Sequence, residues 1–269
     1  MFPVLFEIFG IKVYTYGVLV ALGAFASYYL SLNLAKRQGI SPEKIENTFL
    51  IALFMGIFGA RIAYIIEHPE SIGGFFDIFA VWKGGMSFFG GLGAGILGAL
   101  LGILIYKLPL NKTADIAMVS LTLGHAIGRL GCTAAGCCYG KPFPIGNISP
   151  GLYLSDRFPF FYVVFPAGGS APSHIPLYPT QLMEFIGLMI VFGFLLTVYL
   201  KLRPREGTVF ALYMFLYGFL RFFLEFFRGV TPPILYGLTW NQIVSLIMVF
   251  ASIGFIALIY IKPKDEKAN

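Results

Sequence analysis

GTVFALYMFLYGFLRFFLEFFRG, residues 207–229, is an apolar run of about twenty residues, long enough to cross the ~30 Å hydrocarbon core of a bilayer as a helix. Inside it, Tyr213, Tyr217, Arg221 and Glu225 recur every four residues, and Arg228 follows just past the end. That spacing gathers the polar groups into one stripe on a helix otherwise faced with phenylalanine and leucine. A charge at the bilayer centre costs about 2.5–3.5 kcal/mol on insertion scales, so such a stripe faces other protein and finds partners there. Arg221 and Glu225 read either as an internal ion pair or as part of a site for an anion.

The rest of the chain has the same character. Of 269 residues, 58% are hydrophobic and only 12% charged, about half the charged share of a soluble domain. The composition implies an all-α membrane protein, a single integral-membrane domain over 1–269. The apolar runs predict a seven-transmembrane helical bundle with spans near 14–35, 46–66, 85–106, 114–131, 180–200, 207–227 and 239–261. Gly39, Ser41 and Pro42 end the first hairpin, Pro69 closes the second span, and Pro109 with Asn111 separates the third from the fourth. Residues 132–179, rich in Pro, Gly and Ser and carrying Phe158, Phe160, Phe161 and Tyr162, read as an extracytoplasmic loop or small head with an interfacial aromatic set. The N-terminal MFPVLFEIFGIK has no basic n-region and no small-residue cleavage signal, and reads as the lead into the first span.

Loops on one side of these spans hold eleven basic residues (Lys36, Arg37, Lys44, Lys107, Lys112, Lys201, Arg203, Arg205, Lys262, Lys264, Lys267). The other side holds five (Lys12, Lys83, Lys141, Arg157, Arg228). The positive-inside rule then predicts an outside N-terminus and a cytoplasmic C-terminus. The net charge of +6 follows from those cytoplasmic loops and does not argue for nucleic acid.

Three arginines remain inside spans: Arg61, Arg129 and Arg221. This topology places them in outer halves, at the depth of Tyr14, Tyr16, Ser87, Thr180, Gln181, Glu184, Asn241 and Gln242. Candidate carboxylates at that depth are Glu67, Glu184 and Glu225. In SLTLGHAIGRLGCTAAGCCYGK, residues 120–141, His125 and Arg129 are four apart and share a helix face. An arginine left without a carboxylate would suit a phosphate or carboxylate ligand. Gly91–Gly95 and Gly98–Gly102 are small-xxx-small pairs for close helix packing. The double glycines 84–85 and 90–91 suggest a broken or re-entrant segment. Cys132, Cys137 and Cys138 are the only cysteines. Neighbours in sequence have Cα atoms ~3.8 Å apart, short for a disulfide, so a bridge would run from Cys132 to Cys137 or Cys138. Buried thiols, a catalytic thiol and a metal site are the other readings. Zinc would need a fourth ligand, and no metal is assigned from this spacing.

The chain resembles the prolipoprotein diacylglyceryl transferases in YTYGVLVALG (14–23), GIFGARIAY (56–64), WKGGMSFFGGL (82–92), DIAMVSLTLGHAIGRLG (115–131), YPTQLMEF (178–185) and the 207–229 stretch. The resemblance implies a bacterial cytoplasmic-membrane enzyme. Its partners would be phosphatidylglycerol, prolipoprotein signal peptides and membrane lipids, and it would need no cofactor. It would move the diacylglyceryl group to a lipobox cysteine thiol and release glycerol phosphate. Arg129 and Arg221 stand where the family has essential arginines, and Tyr16 and Tyr217 where it has site tyrosines. Arg61, Gly90, Gly91, Glu184, Glu225 and Arg228 are expected to bind substrate. The family's histidine before the double glycine is Phe89 here, the asparagine after GRLG is Cys132, and the tyrosine before Glu184 is Met183. With that histidine missing, His125 is the candidate for deprotonating the acceptor thiol; its other reading is a hydrogen-bonding role within the bundle. The alternative function is a non-catalytic or altered-specificity phospholipid-binding or lipid-transport relative using the same anion cavity.

Overall fold

The computed structural model describes residues 4–8, 11–71, 74, 85–144, 151–154, 161–167, 170–229 and 231–261. Lys83, Gly84, Arg157, Phe158, Phe160, Lys262, Lys264 and Lys267, all used in the sequence reading, lie outside these residues.

A short antiparallel hairpin, β1 (Val4–Ile8) and β2 (Ile11–Tyr14), precedes α1 (Thr15–Arg37). Then follow α2 (Pro42–Glu67), α3 (Phe88–Ile105) and α4 (Leu110–Ala135). Three strands, β3 (Gly151–Leu154), β4 (Phe161–Val164) and β5 (Pro176–Leu177), form an antiparallel sheet in that order. Next come α5 (Thr180–Thr197), which runs on as a π-helical turn to Leu202, and α6 (Thr208–Glu225). The last elements are the small hairpin β6 (Pro233–Leu235) and β7 (Leu238–Thr239), and α7 (Trp240–Ile261). The breaks fall where the sequence places them: α2 starts at Pro42, whose missing N–H is no loss at a helix start, and stops at Glu67, two residues before Pro69.

Six of the described helices are long and apolar enough to cross a membrane: all except α4. α4 has 26 residues but carries Lys112, Asp115, His125 and Arg129, which lower its apolarity. It also extends four residues past the expected end at 131, so Cys132 is still helical.

The chain divides into two compact units, Met1–Ser27 with Ala117–Asn269, and Tyr28–Ile116. In the second, α2 and α3 pack through small residues. A Cβ on Gly91 would stand 3.1 Å from Ala60 Cβ, one on Gly98 2.9 Å from Ala52 Cα, and one on Gly102 2.8 Å from Thr48 Cγ2. Such contact lets two backbones approach closely and gain dispersion along their length. Gly90 and Gly91 therefore do not break the helix. They lie in the first turn of a continuous α3, Gly90 against Gly59 and Ala63 and Gly91 against Gly56 and Ala60, so the re-entrant expectation is corrected at this pair.

In the first unit the same device joins α1 to α4. A Cβ on Gly23 would meet Gly124 O at 2.6 Å, and Ser27 Oγ donates to Ser120 O at 2.8 Å. The sheet has its own small core of Val163, Phe165, Ala171 and Leu177, with Tyr139 against it. Tyr162, expected as an interfacial aromatic, is instead buried and stacked on Phe143 at 5.2 Å between ring centroids.

Candidate active site

Glu184 is the hub. It sits one turn into α5, 1% exposed, and Arg129 of α4 reaches it with Nη2–Oε1 at 2.9 Å. Tyr217 of α6 donates its hydroxyl to the same Oε1 at 3.3 Å. His125 Nε2 lies 3.7 Å from Oε1, and Arg228 Nη1 is 4.0 Å from Oε2. The His125 ring meets the Tyr217 ring edge-on at 5.3 Å, and Tyr217 stacks on Tyr213 at 5.6 Å. The four-residue stripe of α6 thus faces the His125–Arg129 face of α4.

A second carboxylate completes the cluster. Glu225 ends α6, where the helix dipole disfavours a negative charge, and it is surrounded by donors that offset this. Arg221 Nη2 pairs with Oε2 at 2.9 Å. Thr231 Oγ1, Thr239 Oγ1 (3.1 Å) and Asn241 Nδ2 (3.1 Å) donate to Oε1. Arg228 Nε lies 3.9 Å from Oε2, so Arg228 stands between the two glutamates.

Three guanidiniums thus share two carboxylates, leaving one positive charge in surplus. Their hydrogen bonding is also incomplete. Arg129 Nε, Arg221 Nη1 and Arg228 Nε are buried and have no hydrogen-bond partner among the described residues. Each buried unmet donor on a charged group costs on the order of 1–3 kcal/mol or more; Glu225 Oε2, 3.9 Å from Arg228 Nε, is likewise without a hydrogen bond among the described residues, so the cluster holds more donors than acceptors and is not fully satisfied by them. Guanidinium forks match phosphate and carboxylate oxygens in geometry and charge.

Next to Arg129, α4 ends in a Schellman motif. Cys137 N donates to Cys132 O (3.1 Å) and Gly136 N to Thr133 O (3.3 Å), with Gly136 at φ +69°, a left-handed turn that glycine adopts without steric cost. In this motif the side chains at the two ends of the longer bond meet, and here they are Cys132 and Cys137. Cys138 follows, also left-handed at φ +58°. The loop is tied down from α5: Gln181 Nε2 donates to Cys137 O (2.7 Å) and Thr180 Oγ1 to Cys138 O (2.8 Å). All three thiols are free, and their sulfurs lie within 4.8 Å of one another. Hydrogen bonds with Cys132 and Cys137 hold the Cys138 thiol well below its ordinary range, with Arg228 and Arg129 assisting against burial. Tyr16 of α1 packs on Gly131 and is within electrostatic reach of the three cysteines and Arg129.

Of the residues expected at the site, His125, Arg129, Glu184, Tyr217, Arg221, Glu225 and Arg228 converge, with Tyr16 beside them. Arg61, Gly90 and Gly91 belong to the other unit. Arg61 is buried there, donating to Gly85 O at 3.1 Å and lying 5.8 Å from the Tyr64 ring centroid. Thr231 and Thr239 went unnoticed in the sequence; nothing in a threonine just before or at the end of a short hairpin announces a carboxylate partner.

A multi-pass helical membrane protein with a cluster of three arginines and two glutamates between its helices is the class these observations define. The family model for prolipoprotein diacylglyceryl transferase matches residues 3–258, and the chain belongs to that family. It is 33% identical over 259 residues to a phosphatidylglycerol–prolipoprotein diacylglyceryl transferase of Clostridium tetani, covering 94% of this chain and 96% of that one. A second enzyme of that name from Clostridium perfringens is 30% identical, with 98% and 97% covered. One from Francisella tularensis is 32% identical, with 99% and 96% covered.

Proposed function

We infer that this chain transfers the diacylglyceryl group of phosphatidylglycerol to a prolipoprotein cysteine thiol and releases glycerol phosphate. The observation that carries this reading is the set of unmet guanidinium N–H donors on Arg129, Arg221 and Arg228, with the surplus charge they leave. The lipid's phosphodiester carries one negative charge. The acceptor sulfur forms a bond to the glyceryl carbon, the bond from that carbon to the phosphate oxygen breaks, and its electron pair stays with the oxygen. The leaving phosphate monoester carries a second negative charge, and donors fixed in place beforehand favour that state over the ground state.

The thiol must first lose its proton, because the thiolate is the nucleophile. His125 takes it. Glu184 lies where it stabilises the resulting imidazolium, and Tyr217 fixes the ring from its edge. Glu184 and Glu225 hold the arginines in register. Tyr16 and Tyr217 line the substrate side of the cluster.

The protein works in the bacterial cytoplasmic membrane as a seven-crossing chain with an outside N-terminus and a cytoplasmic C-terminus. α4, the fourth in order, completes the seven crossings and is polar because it carries His125 and Arg129. The cluster then faces the exterior, where a signal peptide presents its cysteine after export.

The test uses the full-length protein in phosphatidylglycerol vesicles with a lipobox peptide. The expected product is the peptide carrying a diacylglyceryl thioether by mass, with glycerol phosphate released in equal amount. Retention of the lipid with no thioether formed would overturn the transferase reading and leave a lipid-binding relative.

A further inference from the structure

We propose that Cys132, Cys137 and Cys138 form a zinc site whose open fourth position takes the acceptor thiol and presents it as a thiolate; this rests on the transferase reading above.

The backbone brings the sulfurs together for identifiable reasons. Cys132 and Cys137 occupy the two ends of the longer Schellman bond, and left-handed Cys138 turns the chain back. Gln181 and Thr180 fix the carbonyls of Cys137 and Cys138. Gly140 N–H···O=C Tyr178 (3.0 Å) and Lys141 N–H···O=C Phe227 (2.8 Å) hold the strand that follows. Tetrahedral zinc with Zn–S bonds of about 2.3 Å places its sulfurs about 3.8 Å apart. The three thiols, all within 4.8 Å of one another, need shifts of an ångström or less to reach it. A disulfide uses two of the three and leaves one over. A single soft cation uses all of them.

The electrostatics fit. Zinc with three thiolates carries one net negative charge, and Arg129 stands three residues before Cys132 on α4, a neighbouring position on the helix surface. Three protein ligands and one free position is the arrangement of zinc sites that bind a substrate or water, whereas structural sites fill all four. A thiol bound at that position loses its proton at neutral pH. The proton leaves through water, with His125, seven residues and about 10 Å before Cys132 along α4, as its acceptor by way of that water. The sulfur, still zinc-bound, forms its bond to the glyceryl carbon while the phosphate oxygen leaves. Zinc changes no oxidation state, and the neutral thioether product is a weaker ligand that departs.

The experiment is metal analysis of the full-length protein purified in detergent without chelator. The expected result is about one zinc per chain, falling at least tenfold in Cys137→Ser and in Cys138→Ser. Cobalt in place of zinc should give thiolate-to-cobalt charge-transfer absorption that intensifies when the lipobox peptide is added. Stripping zinc from the unaltered protein should lower transfer at least tenfold, and zinc added back should restore it, which separates the effect from misfolding of a variant. Metal-free protein with three free thiols, or a mass two units lower for a disulfide, would overturn the proposal. So would zinc whose removal leaves transfer unchanged. A cobalt spectrum that responds to peptide in protein with no transfer activity would uphold the site and reject the transferase reading.

Discussion

Arg61 is buried and Arg129, Arg221 and Arg228 are partly buried, and the surroundings of the one and of the trio differ in kind. Arg61 sits beside the α2–α3 seam, donating to a backbone carbonyl and lying near the Tyr64 ring, in a unit held by glycine and alanine contacts. The trio is bound to two carboxylates that are too few for it and keeps donors with no partner. In one region the arginine meets a backbone carbonyl and an aromatic ring. The other keeps three guanidinium donors unmet among the described residues, the feature on which the anion-site proposal rests. A buried charge is therefore not evidence of function until its partners have been counted.

The widest separation between the regions should come from the arginines. Arg129→Gln and Arg221→Gln are each expected to lower transfer about 10²–10³-fold, the usual cost of removing one fixed donor to a developing oxyanion. Arg221→Lys keeps the charge but loses the fork and should fall in the same range; full activity in it would mean that charge alone suffices. Arg61→Lys should change transfer far less, measured in the same thioether assay.

Next comes His125→Ala, expected to lower transfer about 10²-fold or more as the loss of a general base. Undiminished transfer would assign His125 to packing against Tyr217. Glu184→Ala leaves Arg129 buried without its carboxylate and should cost about 3 kcal/mol of stability, seen as a lower melting midpoint in detergent. The smallest effects belong to the seam. Gly91→Ala meets Ala60 Cβ at 3.1 Å and should destabilise by about 1–3 kcal/mol. Gly93→Ala meets nothing within 4 Å and should stay within about 0.5 kcal/mol. Equal losses at the two glycines would show that the seam is not packed through Gly91.

Much of this was legible in the residues. Span lengths and proline breaks place the helices because both are local properties. The Tyr213–Glu225 stripe reads directly because four-residue spacing fixes a helix face. The central role of Glu184 does not read that way: one carboxylate in α5 gathers groups from α4 and α6, and only tertiary packing brings them together. Gly90 and Gly91 misled for a related reason. A glycine pair looks the same in sequence whether it breaks a helix or lets another helix approach, and the facing Gly59 and Ala60 decide which. The cysteines were visible, but the motif that turns Cys137 back onto Cys132 depends on Gly136 adopting a left-handed turn.

The central claim is that the three guanidiniums take one lipid phosphate. Native mass spectrometry of the full-length protein, with phosphatidylglycerol and phosphatidylcholine offered in equal amounts, tests it most directly. One phosphatidylglycerol should be retained at least tenfold over phosphatidylcholine, with that preference lost in Arg129→Gln/Arg221→Gln and kept in Arg61→Gln. Equal retention of the two lipids, or an unchanged preference in the double variant, would contradict it.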